Sequence, residues 1–431
     1  MKKIIPIILC LMLIFSSLAL ADTPAVTVNG DAALLIEKST GKVLYEKNAN
    51  KKEYPASLTK ILTALIVLEN CELTEQVTIS NAAVLSVPAG SNIAYLKAGE
   101  VLTVEELLYA MLIGSGNDAA NALAIHVSGS VTEFVKLMNE KAKQLGATNS
   151  NFVNANGIHD ANHYTTANDL MIITQATIKY EIFNKICSTT SYTLRSTDVF
   201  KQTGDNERKF ETSNLLLLNK ATNVSTTNFY YQYATGIKTG YTSQARNCII
   251  ASAQKENLEL LAVVLNVGSA ENISRYLDAK NLFEYGFSKF KITPFNPTIE
   301  DIAIENSNVT LQVSINGPAN ILSDSELQLT GLTPKFDLKT GLQAPIYKDD
   351  IVGTISYEID GHLYSFDLIA QNDIPEKPSA GAVFLGFLGM LWNIIKVILI
   401  ILIAFIVIAV IIRLINNNRK QKRRAAKRYK N

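Results

Sequence analysis

The feature that most constrains this chain lies near its end. Residues 397–412 are unbroken apolar sequence, 380–395 are also uncharged, and Lys396 is the only charge between them. A helix needs about 20 apolar residues to cross the hydrocarbon of a bilayer. The pattern predicts one transmembrane helix over 391–412, with Trp392 at the outer interface and Lys396 snorkelling or facing a partner. A helix lying in the interface needs a polar face, and 397–412 has none. After it come nine cations and no acid, which the positive-inside rule keeps in the cytosol as a basic tail over 413–431. At the other end, Lys2 and Lys3 precede an apolar stretch over 4–15, followed by Ala19-Leu20-Ala21. This reads as a signal peptide over 1–21, removed on export. The body therefore faces the outside.

The formal net charge of +1 hides an asymmetry. Taking away the nine tail cations together with Lys2, Lys3 and Lys396 leaves residues 22–395 at −11. An acidic body argues against nucleic acid as a partner. Hydrophobic content of 48% allows a sizeable core. Cys71, Cys187 and Cys248 remain after export, an odd number at scattered spacing, with neither a disulfide framework nor a zinc pattern.

Along the body, 33–36 and 43–45 read as a hairpin around Ser39-Thr40-Gly41. Helical periodicity over 104–126 breaks at 114–117. Further helices are expected over 131–145, 167–178 and 274–287, and buried strands over 248–253 and 258–265. Composition changes near Pro294 and Pro297. From there short strands (309–315, 326–329, 351–359, 363–369) predict a small all-β domain. The expected organisation is a catalytic domain over 22–290, a β domain over 291–375 and a linker over 376–390.

Three short motifs occur in order. Ser57-x-x-Lys60 follows Pro55, a residue suited to a first helical turn. Residues three apart on a helix share a face, so the Ser57 hydroxyl can meet the Lys60 amine. Ser115-Gly116-Asn117 follows 55 residues after Lys60, and Lys238-Thr239-Gly240 follows 123 residues after Ser115. No histidine stands at a recognisable triad spacing. Lys60 can be the base if burial and a neighbouring cation, such as Lys238, lower its pKa.

This ordered set matches the signature of penicillin-binding proteins and serine β-lactamases. With its flanks (Tyr54 to Leu65, Gly114 to Asn121, His163 to Ala167, Gly236 to Thr242, Arg275 to Gly286) the chain resembles the D-alanyl-D-alanine carboxypeptidases, the low-molecular-mass penicillin-binding proteins of peptidase family S11. The resemblance covers about 28–290. It implies an α/β (α+β) penicillin-binding, β-lactamase-like transpeptidase fold carrying the β domain and the anchor. It also implies a serine carboxypeptidase that trims the terminal D-alanine of peptidoglycan stem peptides through a Ser57 acyl-enzyme and is acylated by β-lactams, with no metal or cofactor. Ser115 would relay a proton to the leaving amine, and Asn117 would orient Lys60. Lys238 and Thr239 would face the substrate carboxylate and Gly240 would let the strand approach. Ser57 and Tyr241 would lend backbone N–H groups to an oxyanion hole, and Arg275 matches a family arginine near the carboxylate. At 211–214 the family pattern is Asn-Thr-Asn, from which Glu211 and Ser213 depart.

Four alternatives bear weighing. D,D-endopeptidase or transpeptidase activity belongs to the same family. A class A β-lactamase needs an E-x-x-L-N element between the second and third motifs, and none stands between 118 and 237. A non-enzymatic wall-binding module would not need all three motifs intact. A second triplet, Lys339-Thr340-Gly341, falls in the β domain and reads as a turn. His126 and His163 read as structural, His159 shares the His163 loop beside Asp160, and His362 sits in a turn.

Overall fold

The computed structural model describes residues 26–203, 207–219, 229–268, 274–317, 319–324, 329, 331–359, 361–377 and 380–428. The signal peptide expected over 1–21, residues 326–328 of one expected strand and the last three residues of the tail lie outside them.

The first compact unit, reaching Pro294 and including 320–327, is built on a five-stranded antiparallel sheet. Its strands are β1 (Ala32–Glu37), β2 (Val43–Lys47), β7 (Ala234–Thr242), β8 (Arg246–Lys255) and β9 (Leu258–Val267), in the order β2-β1-β9-β8-β7. Short pairs lie around it: β3 (Gln76–Thr78) with β4 (Val101–Thr103), β5 (Ser191–Thr193) with β6 (Lys209–Glu211), and β10 (Lys291–Pro294) with β14 (Asn320–Ser323).

Every residue of β1 is buried, because its pleat is covered on both sides. Ala32, Leu34 and Ile36 join one core, and Ala33 and Leu35 join the other. This explains why β1, β8 and β9 read as apolar runs rather than alternations. The hairpin from β1 to β2 is fixed by buried Glu37. Its carboxylate accepts from the backbone and hydroxyl of both Ser39 and Thr40, and Gly41 supplies the positive φ.

The helices are α1 (Lys60–Asn70), α2 (Asn81–Leu85), α3 (Val104–Leu112), α4 (Asn117–Ser128), α5 (Val131–Leu145), α6 (Ala167–Thr177), α7 (Glu181–Ser188) and α8 (Arg275–Lys289). α8 packs on the second core through Tyr276, Ala279, Leu282 and Phe283, while α1 and α3–α7 pack in the first. The break expected at 114–117 is real. α3 starts on a capping box between Thr103 and Glu106, and α4 starts at Asn117 and stops at left-handed Gly129. α7 and the pairing of β10 with β14 were not anticipated; α7 places Ile182, Phe183, Ile186 and Cys187 at helical spacing, but over only eight residues.

The second unit holds Phe295–Ala319 and 328–431. Its four-stranded sheet runs β13 (Val313–Ile315), β17 (His362–Ala370), β16 (Ile351–Ile359), β15 (Lys335–Leu338), beside the small pair β11 (Ile302–Ala303) and β12 (Thr310–Leu311). Val352, Ile355, Tyr357, Leu368 and Phe295 are buried in it. The Lys339 triplet follows β15 as a turn, closed by Leu342 N–H on Lys339 O at 3.1 Å.

α9 (Ala380–Arg428) is one continuous helix. The linker expected over 376–390 is thus helical from Ala380 on, because no glycine or proline break in this apolar stretch is strong enough to stop it. Residues 381–422 are long and apolar enough to cross a membrane and are unburied by the rest of the protein.

Candidate active site

The first motif does not lie on a single regular helix. Ser57 sits in a 3-10 turn (Ala56–Thr59), and Lys60 is the first residue of α1. A 3-10 turn eclipses residues i and i+3, so the two side chains meet more directly than on an α-helix. The Lys60 amine donates to Ser57 Oγ at 3.0 Å, to Asn117 Oδ1 at 2.7 Å and to the Asn156 carbonyl at 2.7 Å. Ser115, at positive φ, turns its hydroxyl to Ser57 Oγ at 3.1 Å. The Ser57 oxygen therefore lies between an amine and a second hydroxyl.

Lys60 is fully buried. Burial first, and the nearby Lys238 cation second, hold its amine well below the ordinary lysine value, while Asp118 pulls the other way. Asp118 is itself engaged by Ala94 and Leu96 N–H at 2.7 and 3.0 Å.

β7 is an edge strand that runs past the serine turn. A Cβ on Gly240 would come within 3.1 Å of Ala56 Cβ, Pro55 O and Ser57 N, so glycine is what lets strand and turn touch. Lys238 is buried, and its amine donates to Thr239 O at 3.2 Å rather than to Ser115. Burial lowers its pKa to about 8; Cys187 raises it and Arg275 lowers it. Thr239 Oγ1 bonds Ser213 Oγ at 2.5 Å, so the residue that departs from the family pattern still engages the third motif. Arg275 donates to Gly240 O at 3.0 Å, Asn247 Oδ1 at 2.8 Å and the Tyr276 hydroxyl at 3.0 Å, and Tyr276 donates onward to Ser213 O at 2.6 Å.

Ser57, Ser115, Asn117, Thr239, Gly240, Tyr241 and Arg275 line a cavity of about 540 Å³. Lys60 and Lys238 lie buried beneath it. All nine sequence-predicted residues thus gather around one cleft.

Two contributors escaped the sequence. Asn156 acts through a backbone carbonyl, which leaves no side-chain signature. Gly157 has φ +87, and a Cβ there would lie 1.9 Å from Ala56 O; the Asn156-Gly157 dipeptide was its turn signal. His163 bonds Thr59 Oγ1 at 2.9 Å, and burial lowers its pKa to about 4, so a neutral imidazole braces the serine turn.

Fold and geometry define a serine-type hydrolase. The chain belongs to the D-alanyl-D-alanine carboxypeptidase family, peptidase family S11, whose model matches residues 19–269; a model of the penicillin-binding protein 5 C-terminal domain matches 287–376. It is 32% identical to D-alanyl-D-alanine carboxypeptidase DacF of Bacillus subtilis, over 83% of this chain and 87% of that one. It is 31% identical to DacC of Escherichia coli, over 86% and 88%. Among solved structures, penicillin-binding protein 5 from Haemophilus influenzae aligns with a TM-score of 0.64 at 28% identity, covering 81% of this chain and 98% of that one. The Streptomyces K15 DD-transpeptidase aligns at 0.54 and 30%, covering 61% and 98%.

Proposed function

We propose that this protein removes the terminal D-alanine from peptidoglycan stem peptides, with Ser57 as nucleophile. Ser57 Oγ attacks the carbonyl carbon between the two D-alanines while neutral Lys60 takes its proton. Ser115 passes a proton to the leaving amine, D-alanine departs, and water hydrolyses the Ser57 ester. Asn117 holds the Lys60 amine in line. Lys238, Thr239 and Arg275 form the positive, hydroxyl-bearing wall for the substrate carboxylate. The N–H groups of Ser57 and Tyr241 receive the oxyanion. A β-lactam acylates the same serine. The observation that carries this reading is Ser57 Oγ held at 3.0 Å from a buried amine and 3.1 Å from Ser115 Oγ.

In this reading the chain is exported by residues 1–21 and carries its catalytic domain over 22–290 and its β domain over 291–375. It is anchored by 391–412 with the body outside and residues 413–431 in the cytosol. The apolar helix with its cationic end supports the anchor.

The full chain in detergent, given a D-Ala-D-Ala peptide, should release D-alanine and retain a fluorescent penicillin. Ser57→Ala should lose both with its fold intact. Labelling that persists in the variant would overturn the nucleophile assignment. Deleting 380–431 should move the protein out of the membrane fraction; a truncated chain that still sediments with membranes contradicts the anchor.

A second reading is acyl transfer to an amine, favoured by one observation: the Streptomyces K15 relative, 30% identical to this chain, is known both as a DD-transpeptidase and as a D-alanyl-D-alanine carboxypeptidase. An amine acceptor added to the same assay separates the two, since transfer gives a new peptide bond in place of the free acid.

A further inference from the structure

The far ends of α1 and α4 meet at a cluster the reaction does not use. Cys71 caps α1, Glu75 immediately precedes β3, and His126 lies in the last turn of α4. The thiol sulfur, a carboxylate oxygen and a ring nitrogen lie within 4.8 Å of one another. His126 Nε2 is 3.1 Å from Glu75 Oε2. All three side chains are partly exposed, so an ion can reach them from solvent.

We propose that Cys71 Sγ, Glu75 Oε2 and His126 Nε2 form a zinc site whose fourth ligand is water. Sulfur, nitrogen and oxygen donors together suit a borderline-soft ion; calcium and magnesium demand oxygen alone. With zinc bonds of about 2.0–2.3 Å, tetrahedral ligands stand roughly 3.2–3.6 Å apart. The Glu75–His126 separation is already close to that, and the thiol lies within 4.8 Å of both. The other Glu75 oxygen is held by Glu72 N–H, which leaves Oε2 turned toward His126, as an outer partner does at metal sites.

On binding, the Cys71 S–H bond breaks and its proton goes to solvent as the sulfur–zinc bond forms. The imidazole keeps its proton only on Nδ1. Thiolate and carboxylate then cancel the two charges of the ion, and nothing is oxidised or reduced. Without the ion, burial and the neighbouring Glu75 push the thiol up to about 11, so it stays protonated. Cys71 and His126 are far apart in the chain, which is why no zinc spacing shows in the sequence. The site joins the far ends of the two helices whose first residues are Lys60 and Asn117.

The test uses the full chain in detergent. Cobalt(II), a spectroscopic stand-in for zinc, should give a thiolate-to-metal charge-transfer band saturating at one equivalent, and zinc should displace it. Cys71→Ser should abolish the band, and His126→Gln should weaken zinc binding by about tenfold or more. Penicillin labelling should stay unchanged in both. Zinc should raise the melting temperature of the wild type, less that of His126→Gln, and not that of Cys71→Ser. No band in the wild type, a band that survives in Cys71→Ser, or an equal zinc effect on all three proteins overturns the site. If Cys71→Ser fails to fold, the affinity loss in His126→Gln decides alone.

Discussion

Two regions of the catalytic unit bury charge in opposite ways. At one, Arg208 and Glu100 are both buried and meet in a two-pronged pair at 2.6 and 3.0 Å, with Thr197 adding a hydroxyl. At the other, Lys60 and Lys238 are buried near each other, and each amine is satisfied by neutral oxygens. The paired charges tie the strand-end residues around Arg208 to the loop before β4. Burial and the neighbouring cation hold the Lys60 amine well below the ordinary lysine value, and an amine that gives up its proton more readily can act as a base. Opposite charge makes a brace, and like charge makes a reagent.

The contrast can be broken at either end. Lys60→Met should have the largest effect, a loss of acylation of at least about ten-thousandfold. Its melting temperature should stay close to wild type, because removing a buried cation offsets the bonds lost at Asn117 and Asn156. Penicillin acylation kinetics beside thermal denaturation check both halves. Arg208→Met should do the reverse. It leaves Glu100 buried without its partner, at a cost of about 3–5 kcal/mol in stability, while the acylation rate of the folded fraction stays near wild type. Denaturant titration reads this; a variant as stable as the parent would show that the pair is no brace. The smallest effect is on pH. Acylation should rise as Lys60 loses its proton and fall above about pH 8 as Lys238 loses its charge. Lys238→Arg should move that alkaline limb upward, since guanidinium stays charged. An unmoved limb in the pH–rate profile assigns it to another group.

Much of this was legible because side-chain chemistry at fixed spacing survives folding. The three motifs, the helix break at 114–117 and the runs that became β8 and β9 each carry a local cause. What stayed hidden acts through backbone or tertiary contact. The Asn156 carbonyl has no residue-type signature, and the positive φ of Ala56 and Ser115 is imposed by their surroundings. The bond from Ser213 to Thr239 joins elements 26 residues apart. The expected linker rested on the prolines and glycine between Pro375 and Gly381, and the structure is helical from Ala380 on because the apolar run carries the helix through Gly381.

Gly157 and Gly240 close on Ala56 from two sides: a methyl group at 157 would overlap the Ala56 carbonyl, and one at 240 would press on the serine turn at 3.1 Å. The rim is different: Tyr241 is 45% exposed, and Gly90 meets nothing nearby, its φ of +80 being what favours glycine there. Under antibiotic selection the two zones therefore have unequal futures. Variants at the floor strain the serine turn, whereas an exposed rim side chain such as Tyr241 has room to change. Any lineage of this chain that learns to refuse a drug, or to accept a bulkier peptide, must do so from the edge of the cleft inward.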